Sequence, residues 1–116
     1  MTEMFDRIVA ALKTLRYNVE TRPQEKIPPG ELHVVMENVD VEVESFSSYV
    51  MNVDVSIRWA EETPAQVPRK IATLMAALDA AVSQPTFKFG KPNIRLLGQQ
   101  YLVYVPCSYK EIVEVT

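Results

Sequence analysis

Apolar residues at Phe5, Ile8, Val9, Leu12 and Leu15 recur at the three- and four-residue spacing that places them on one side of a helix. The spacing predicts an amphipathic helix from Met4 to Leu15, with Thr2 able to cap its start and Asn18 near its end. Residues Glu20 to Leu32, ETRPQEKIPPGEL, then break the pattern with three prolines, a glycine and five charges. They predict a long connecting loop that turns at Pro29-Gly30, and long loops are frequent sites of partner contact.

From His33 the period changes from helical to two. His33 to Met36 opens a β region, and Val39, Val41 and Val43 then alternate with Asp40, Glu42 and Glu44. A second strand follows, in which Met51, Val53, Val55, Ile57 and Trp59 alternate with Asn52, Asp54, Ser56 and Arg58. Parity constrains the link between them, because directly opposed residues of an antiparallel pair share a face. A two-residue turn at Ser47-Ser48 would set Val41 opposite Asp54 and bury a carboxylate. A three-residue link, Ser47 to Tyr49, would instead oppose Val43 to Val53 and Val41 to Val55. An odd-length link or a bulge is therefore expected.

Thr63-Pro64 opens a turn, and Pro68 fits the first turn of a second helix beginning near Val67 or Pro68, since proline has no amide hydrogen to lose there. Its expected buried stripe is Ile71, Leu74, Met75, Leu78 and Val82. Ala72, Ala76, Ala77, Ala80 and Ala81 are expected to allow close approach to the sheet, and the helix to end near Ser83, before Pro85. Beyond the turn-rich QPTFKFGKP, Ile94 to Leu97 and Tyr101 to Val105 predict a hairpin about Gly98-Gln99 that continues toward Tyr109. Pro106 implies an edge position or a bulge, and Glu111 to Val115 leave room for a short final strand. The fold class is thus α+β: an antiparallel sheet with two amphipathic helices packed on one face, in the order α-β-β-β-α-β-β. Val41, Val53 and Leu74 are expected to share one interior, with the carboxylates turned away from it.

A chain of 116 residues, 47% of them hydrophobic, fits one folded domain spanning residues 1–116. Its first residues carry Glu3, Asp6, Arg7 and Lys13, unlike a signal peptide, and no run approaches the ~20 apolar residues of a membrane span. A cytoplasmic protein without membrane contact is the expectation. The single cysteine, Cys107, is expected to be a buried reduced thiol, and His33, the lone histidine, to be structural. There is no glycine-rich phosphate loop, CxxC or HExxH, so no cofactor, no metal and no catalytic residue is expected.

Charge adds one feature. Between Glu37 and Glu62 lie seven acids and one base, Arg58, a net of −6, whereas the rest of the chain is +3. Asp40, Glu42 and Glu44 are carboxylates about 6.5 Å apart along a strand, too parallel and separated for a tight cation site. A solvated face or an interface suits them better. Lys88, Lys91 and Arg95, with Phe87 and Phe89, are few bases for a phosphate-binding surface, and specific nucleic-acid recognition is not expected.

The stretches MFDRIVAALKTLR, RPQEKIPPGEL, MNVDVSIRWAEE, PRKIATLMAALDAAV and QYLVYVPCSY, in this order, resemble the small tail-terminator and tail-completion (neck) proteins of long-tailed bacteriophages and prophages. The resemblance is one of element order and hydrophobic pattern, over nearly the whole chain. It implies a non-enzymatic structural protein of the virion tail, assembled in the bacterial cytoplasm. Such a protein forms a homo-oligomeric ring, typically a hexamer, at the tail end or head-tail junction and binds other tail or neck proteins. A ring needs two different complementary surfaces on each subunit. Asp40, Glu42, Glu44 and Asp54, with Arg58 among them, are the candidate acidic face, and Arg22, Lys26, Lys88 and Lys91 the bases of the next copy. The carboxylates could alternatively line a channel and repel passing DNA. A bacterial α+β protein-binding adaptor of non-phage origin is the alternative reading.

Overall fold

A computed structural model describes residues 3–15, 17–24, 26–82 and 87–114; the expected cap at Thr2 and helix end at Ser83 lie outside them. Helix α1, Glu3–Lys13, buries Met4, Phe5, Ile8, Ala11 and Leu12. Acids in its first turn and Lys13 in its last complement the helix dipole. A short strand β1, Asn18–Glu20, follows where the sequence predicts only a helix end and loop. It pairs in parallel with the start of β2, Glu31–Val43, opposing Asn18 to Glu31 and Glu20 to His33. The return is made by a loop ending in a turn at Pro29-Gly30, where Gly30 takes a φ of 86° that favours glycine.

Strand β3, Ser48–Glu61, runs antiparallel to β2. Val43 opposes Tyr49, and five residues, 44–48, lie between this last opposed pair. That span is odd in length, as parity requires, but the register differs from the three-residue case: Val41 opposes Met51, and Val39 opposes Val53. There is also a bulge, because the register shifts between Met36 and Asn38 and leaves Glu37 as the extra residue. A single 3₁₀ turn, Pro64–Gln66, leads into helix α2, Val67–Ala81.

Helix α2 buries Val67, Leu74 and Leu78, followed by Val82, with Ile71 partly buried beside them. Met75 is instead exposed, and of the five alanines only Ala77 is even half-buried. The stripe is narrow, so the alanine side of the helix faces solvent rather than the sheet.

Strands β4, Lys88–Phe89, and β5, Asn93–Leu97, both pair antiparallel with β6, Gln100–Glu114. The β5–β6 hairpin turns at Gly98-Gln99, as predicted, with Gly98 at a φ of 64°. The separate final strand expected at Glu111 to Val115 is the continuation of β6, which pairs with β3 from Tyr101 to Glu114. The sheet order is β1-β2-β3-β6-β4, with β5 also on β6. Pro106 therefore lies in an interior strand, and its effect falls on the neighbouring one. Gly90 donates to the Pro106 carbonyl at 2.7 Å, so the missing amide hydrogen of Pro106 faces the same side, where residues 90–92 bulge between β4 and β5.

One face of the sheet carries both helices. Phe5, Ile8, Leu12, Leu74 and Leu78 meet Val34, Val53, Val55, Ile57, Trp59, Val103 and Val105 in a single core. The Lys70 ammonium donates to both Glu61 carboxylate oxygens at 2.9 and 2.7 Å, and the Trp59 indole donates to one of them, tying α2 to the end of β3.

The expectation that Val39, Val41 and Val43 hold the helices is overturned. Val41 is 55% and Val43 79% exposed, while Val53 and Leu74 are buried. The reason is length. Helices of 11 and 15 residues span about 16 and about 22 Å, whereas a 15-residue strand spans about 50 Å. The molecule is 52 Å long and 23–27 Å across. The distal half of β2, the start of β3 and the end of β6 consequently form a three-stranded arm that runs to the start of α1, where the Met4 amide donates to a Glu111 carboxylate oxygen at 3.2 Å, and on beyond it.

Candidate functional site

The face of the sheet opposite the helices is built row by row from the strand register. Across the arm, Asp40, Asn52 and Lys110 are neighbours on β2, β3 and β6. One row nearer the core are Asn38, Asp54, Ser108 and Lys88. Asp40, Glu42 and Asp54 are exposed on this face, as the alternation predicts, and Glu44 is exposed in the link just beyond β2. Lys88 departs from its expected place. It lines the same shallow cavity of about 390 Å³ as Asp54, Asn52, Ser108 and Lys110, so it offers no separate basic surface. With two bases beside Asp54, this part of the face also lacks the uniform negative field of a DNA-repelling channel.

Arg58 is held within the chain. Its guanidinium pairs with the Glu37 carboxylate, donates to Ser56 Oγ at 3.1 Å and lies over the Tyr104 ring, 5.2 Å from its centre. The Tyr104 hydroxyl donates to the other Glu37 oxygen at 2.9 Å. Partial burial is the largest influence on Glu37 and acts to raise its pKa, but hydrogen bonds from Arg58, Ser56 and Tyr104 together outweigh it and hold the carboxyl below its ordinary value. Burial, reinforced by the hydrogen bond to Glu37, pushes the Tyr104 phenol up. Sequence reasoning did not single out Glu37. Its signal was the change of phase between Leu32-Val34-Met36 and Val39-Val41-Val43, which places Glu37 and Asn38 consecutively on the polar side.

The other predicted bases separate. Arg22 is occupied by Glu20, Nε to Oε1 at 3.2 Å, and the hydrogen bond from Arg22 is the main cause holding the Glu20 carboxyl below its usual value. Lys26 lines a groove of about 560 Å³, with Gln24 and residues 27–29 on one side and Ala60, Leu97 and Leu102 on the other. Lys91 is exposed in the bulge that leads into β5. Lys26 and Lys91 thus stand near the β5 edge, and Arg95 lies on that edge.

Unforeseen are two sets of exposed apolar side chains. On the arm, Val41 and Val43 are exposed on the helix side, Phe46 in the link and Ile112 on the opposite face beside Glu42 and Val50; at the other end of the sheet Ile94 and Leu96 share the helix side and Leu97 lies on the opposite face with Arg95, Leu96 being 61% exposed. Phe87 and Phe89, in edge-to-face contact at 5.1 Å, pack against the core.

Cys107 is buried in β6, and burial pushes its thiol up to about 12, so it stays protonated and unreactive at neutral pH. His33 is buried with Nε2 3.2 Å from a Glu31 carboxylate oxygen. Among the described residues, no three His, Cys, Asp or Glu side chains gather to hold a metal ion, and no helix is long and apolar enough to cross a membrane. The sequence matches no protein-family profile and no curated protein. The feature best equipped for a task is the pair of unlike sheet edges: β2, with exposed valines beside Asp40 and Glu42, and β5, with exposed Ile94 and Leu96 beside Lys91 and Arg95.

Proposed function

We propose that this protein is a structural assembly protein of a phage or prophage tail, forming a closed ring at the tail end or head-tail junction and contacting other tail or neck proteins. One observation carries the reading: a 52 Å molecule presents two sheet edges with exposed apolar side chains, β2 bordered by Asp40 and Glu42 and β5 by Lys91 and Arg95, at opposite ends of its sheet. Cyclic assembly requires two non-identical, mutually complementary patches on each subunit, and two such patches at opposite ends suit that geometry. The α+β build and element order agree with the tail-completion resemblance. Native mass spectrometry over a range of concentration and salt, with the protein alone and with assembled tail tubes, tests the proposal. A closed oligomer, hexameric by the resemblance, is the expected species. A monomer under every condition, tubes included, rejects it.

A further inference from the structure

Taking self-assembly as above, we infer that neighbouring copies join edge to edge: the outer side of β2 over Asn38–Val43 on one copy adds to the outer side of β5, Asn93–Leu97, on the next. Both edges are open among the described residues. Strand β1 covers β2 only from Glu31 to His33, and β5 pairs only with β6. Open edges present backbone donors and acceptors that favour pairing with another strand.

The side chains choose the partner. From Asn38 to Ser45 there are three acids and no base, alternating with the exposed Val39, Val41 and Val43. From Gly90 to Gln100 there are two bases, Lys91 and Arg95, and no acid, around the exposed Ile94, Leu96 and Leu97. Among the described residues, Glu42, Glu44, Lys91 and Arg95 form no ion pair, so their charges are not consumed within the subunit. Pairing β2 with β2, or β5 with β5, sets like charges opposite one another and is penalised. Pairing β2 with β5 sets opposite charges side by side on one face and brings Val39, Val41 and Val43 beside Ile94 and Leu96 on the other. The contact is head-to-tail and not two-fold, which is the kind that closes into rings.

Orientation is compatible. Through β3 and β6, strand β2 runs antiparallel to β5 within one subunit, so a copy carried across without inversion presents β2 antiparallel to its neighbour's β5. The two edges lie at opposite ends of the sheet, offset by about eight residues or about 27 Å, so the strands run oblique to the ring axis, as in a sheared barrel.

Charge exchange tests the contact. The pair Lys91→Glu with Arg95→Glu inverts the β5 edge, and Asp40→Lys with Glu42→Lys inverts the β2 edge. All four positions are exposed, so circular dichroism and melting should match the wild type. Each pair alone should raise the concentration at which half the protein is assembled, read by native mass spectrometry, at least about tenfold. The neutral pair Asp40→Asn with Glu42→Gln should raise it less. Combining both inversions in one chain should return it to within about threefold of wild type. If the wild type assembles and both inversions do so equally well, the edge contact is wrong while the ring survives. Folded inversions that are not rescued by their combination also overturn it. A wild type monomeric with and without tubes removes the ring and this contact together.

Discussion

Glu37 owes its setting to a bulge. The extra residue at this point puts Glu37 and Asn38 consecutively on the face opposite the helices while Met36 and Val39 keep to the core side, and it aims Glu37 at Arg58 and Tyr104. Its folded pKa lies below the ordinary glutamate value of 4.5. The unfolded chain therefore binds more protons as pH drops through that value, and the stabilisation, complete above about 4.5, is lost as pH falls through the folded pKa. Glu37→Gln keeps an acceptor for Tyr104 but removes the charge facing Arg58. It should cost about 1 kcal/mol at neutral pH, less than a buried charged hydrogen bond because both partners are part-exposed. Thermal melting across an acid series checks this: the decline in Tm from about pH 5 to about pH 3 should be shallower in the variant. An equally steep decline assigns the acid sensitivity elsewhere.

At the level of elements, the edge of the sheet is shaped by two residues that fit each other. A methyl group on Gly90 would sit 2.7 Å from Pro106 Cγ and 3.4 Å from its Cβ, so neither strand could keep its place. Gly90→Ala should destabilise by roughly 1–3 kcal/mol, read from the midpoint of urea unfolding at unchanged slope. An unaltered midpoint would mean that the bulge yields without cost. Pro106 announced an irregularity in the sequence but not its location, because a missing donor is accommodated by whichever strand faces it. Both helices were legible, since Phe5, Ile8 and Leu12, and Leu74 and Leu78, repeat at helical spacing over several turns. Strand β1 was not: Asn18-Val19-Glu20 is too short to display a period, and its partner Glu31–His33 lies beyond a proline-rich loop. The acids of the arm were legible as solvent-facing. That Lys88 shares their face depended on a register carried through β3 and β6, which no local pattern encodes. The valines of the arm misled for a related reason. Alternation shows that one side of a strand is apolar and says nothing about what covers it.

On the scale of the whole molecule, a core at one end and an arm at the other imply unequal local stability. Val53, Val55, Ile57, Val103 and Val105 are enclosed between sheet and helices, whereas Val41, Val43 and Ile112 have little covering them. Fewer buried contacts lower the free energy of local opening. In dilute solution, where any ring is dissociated, amides of Asn38–Val43 should exchange with deuterium at least about tenfold faster than those of 53–57 and 103–107. Raising the concentration into the assembled range should slow exchange at 38–43 and at 93–97 together, because the pairing that covers one edge covers the other. Rates at 53–57 should change less. Slowing at 38–43 alone would assign the arm to a different surface of the neighbour, leaving the β5 edge for another partner. Equal protection along all of β2 in the monomer would mean that the arm is anchored by something other than the packing that Val41 and Val43 lack.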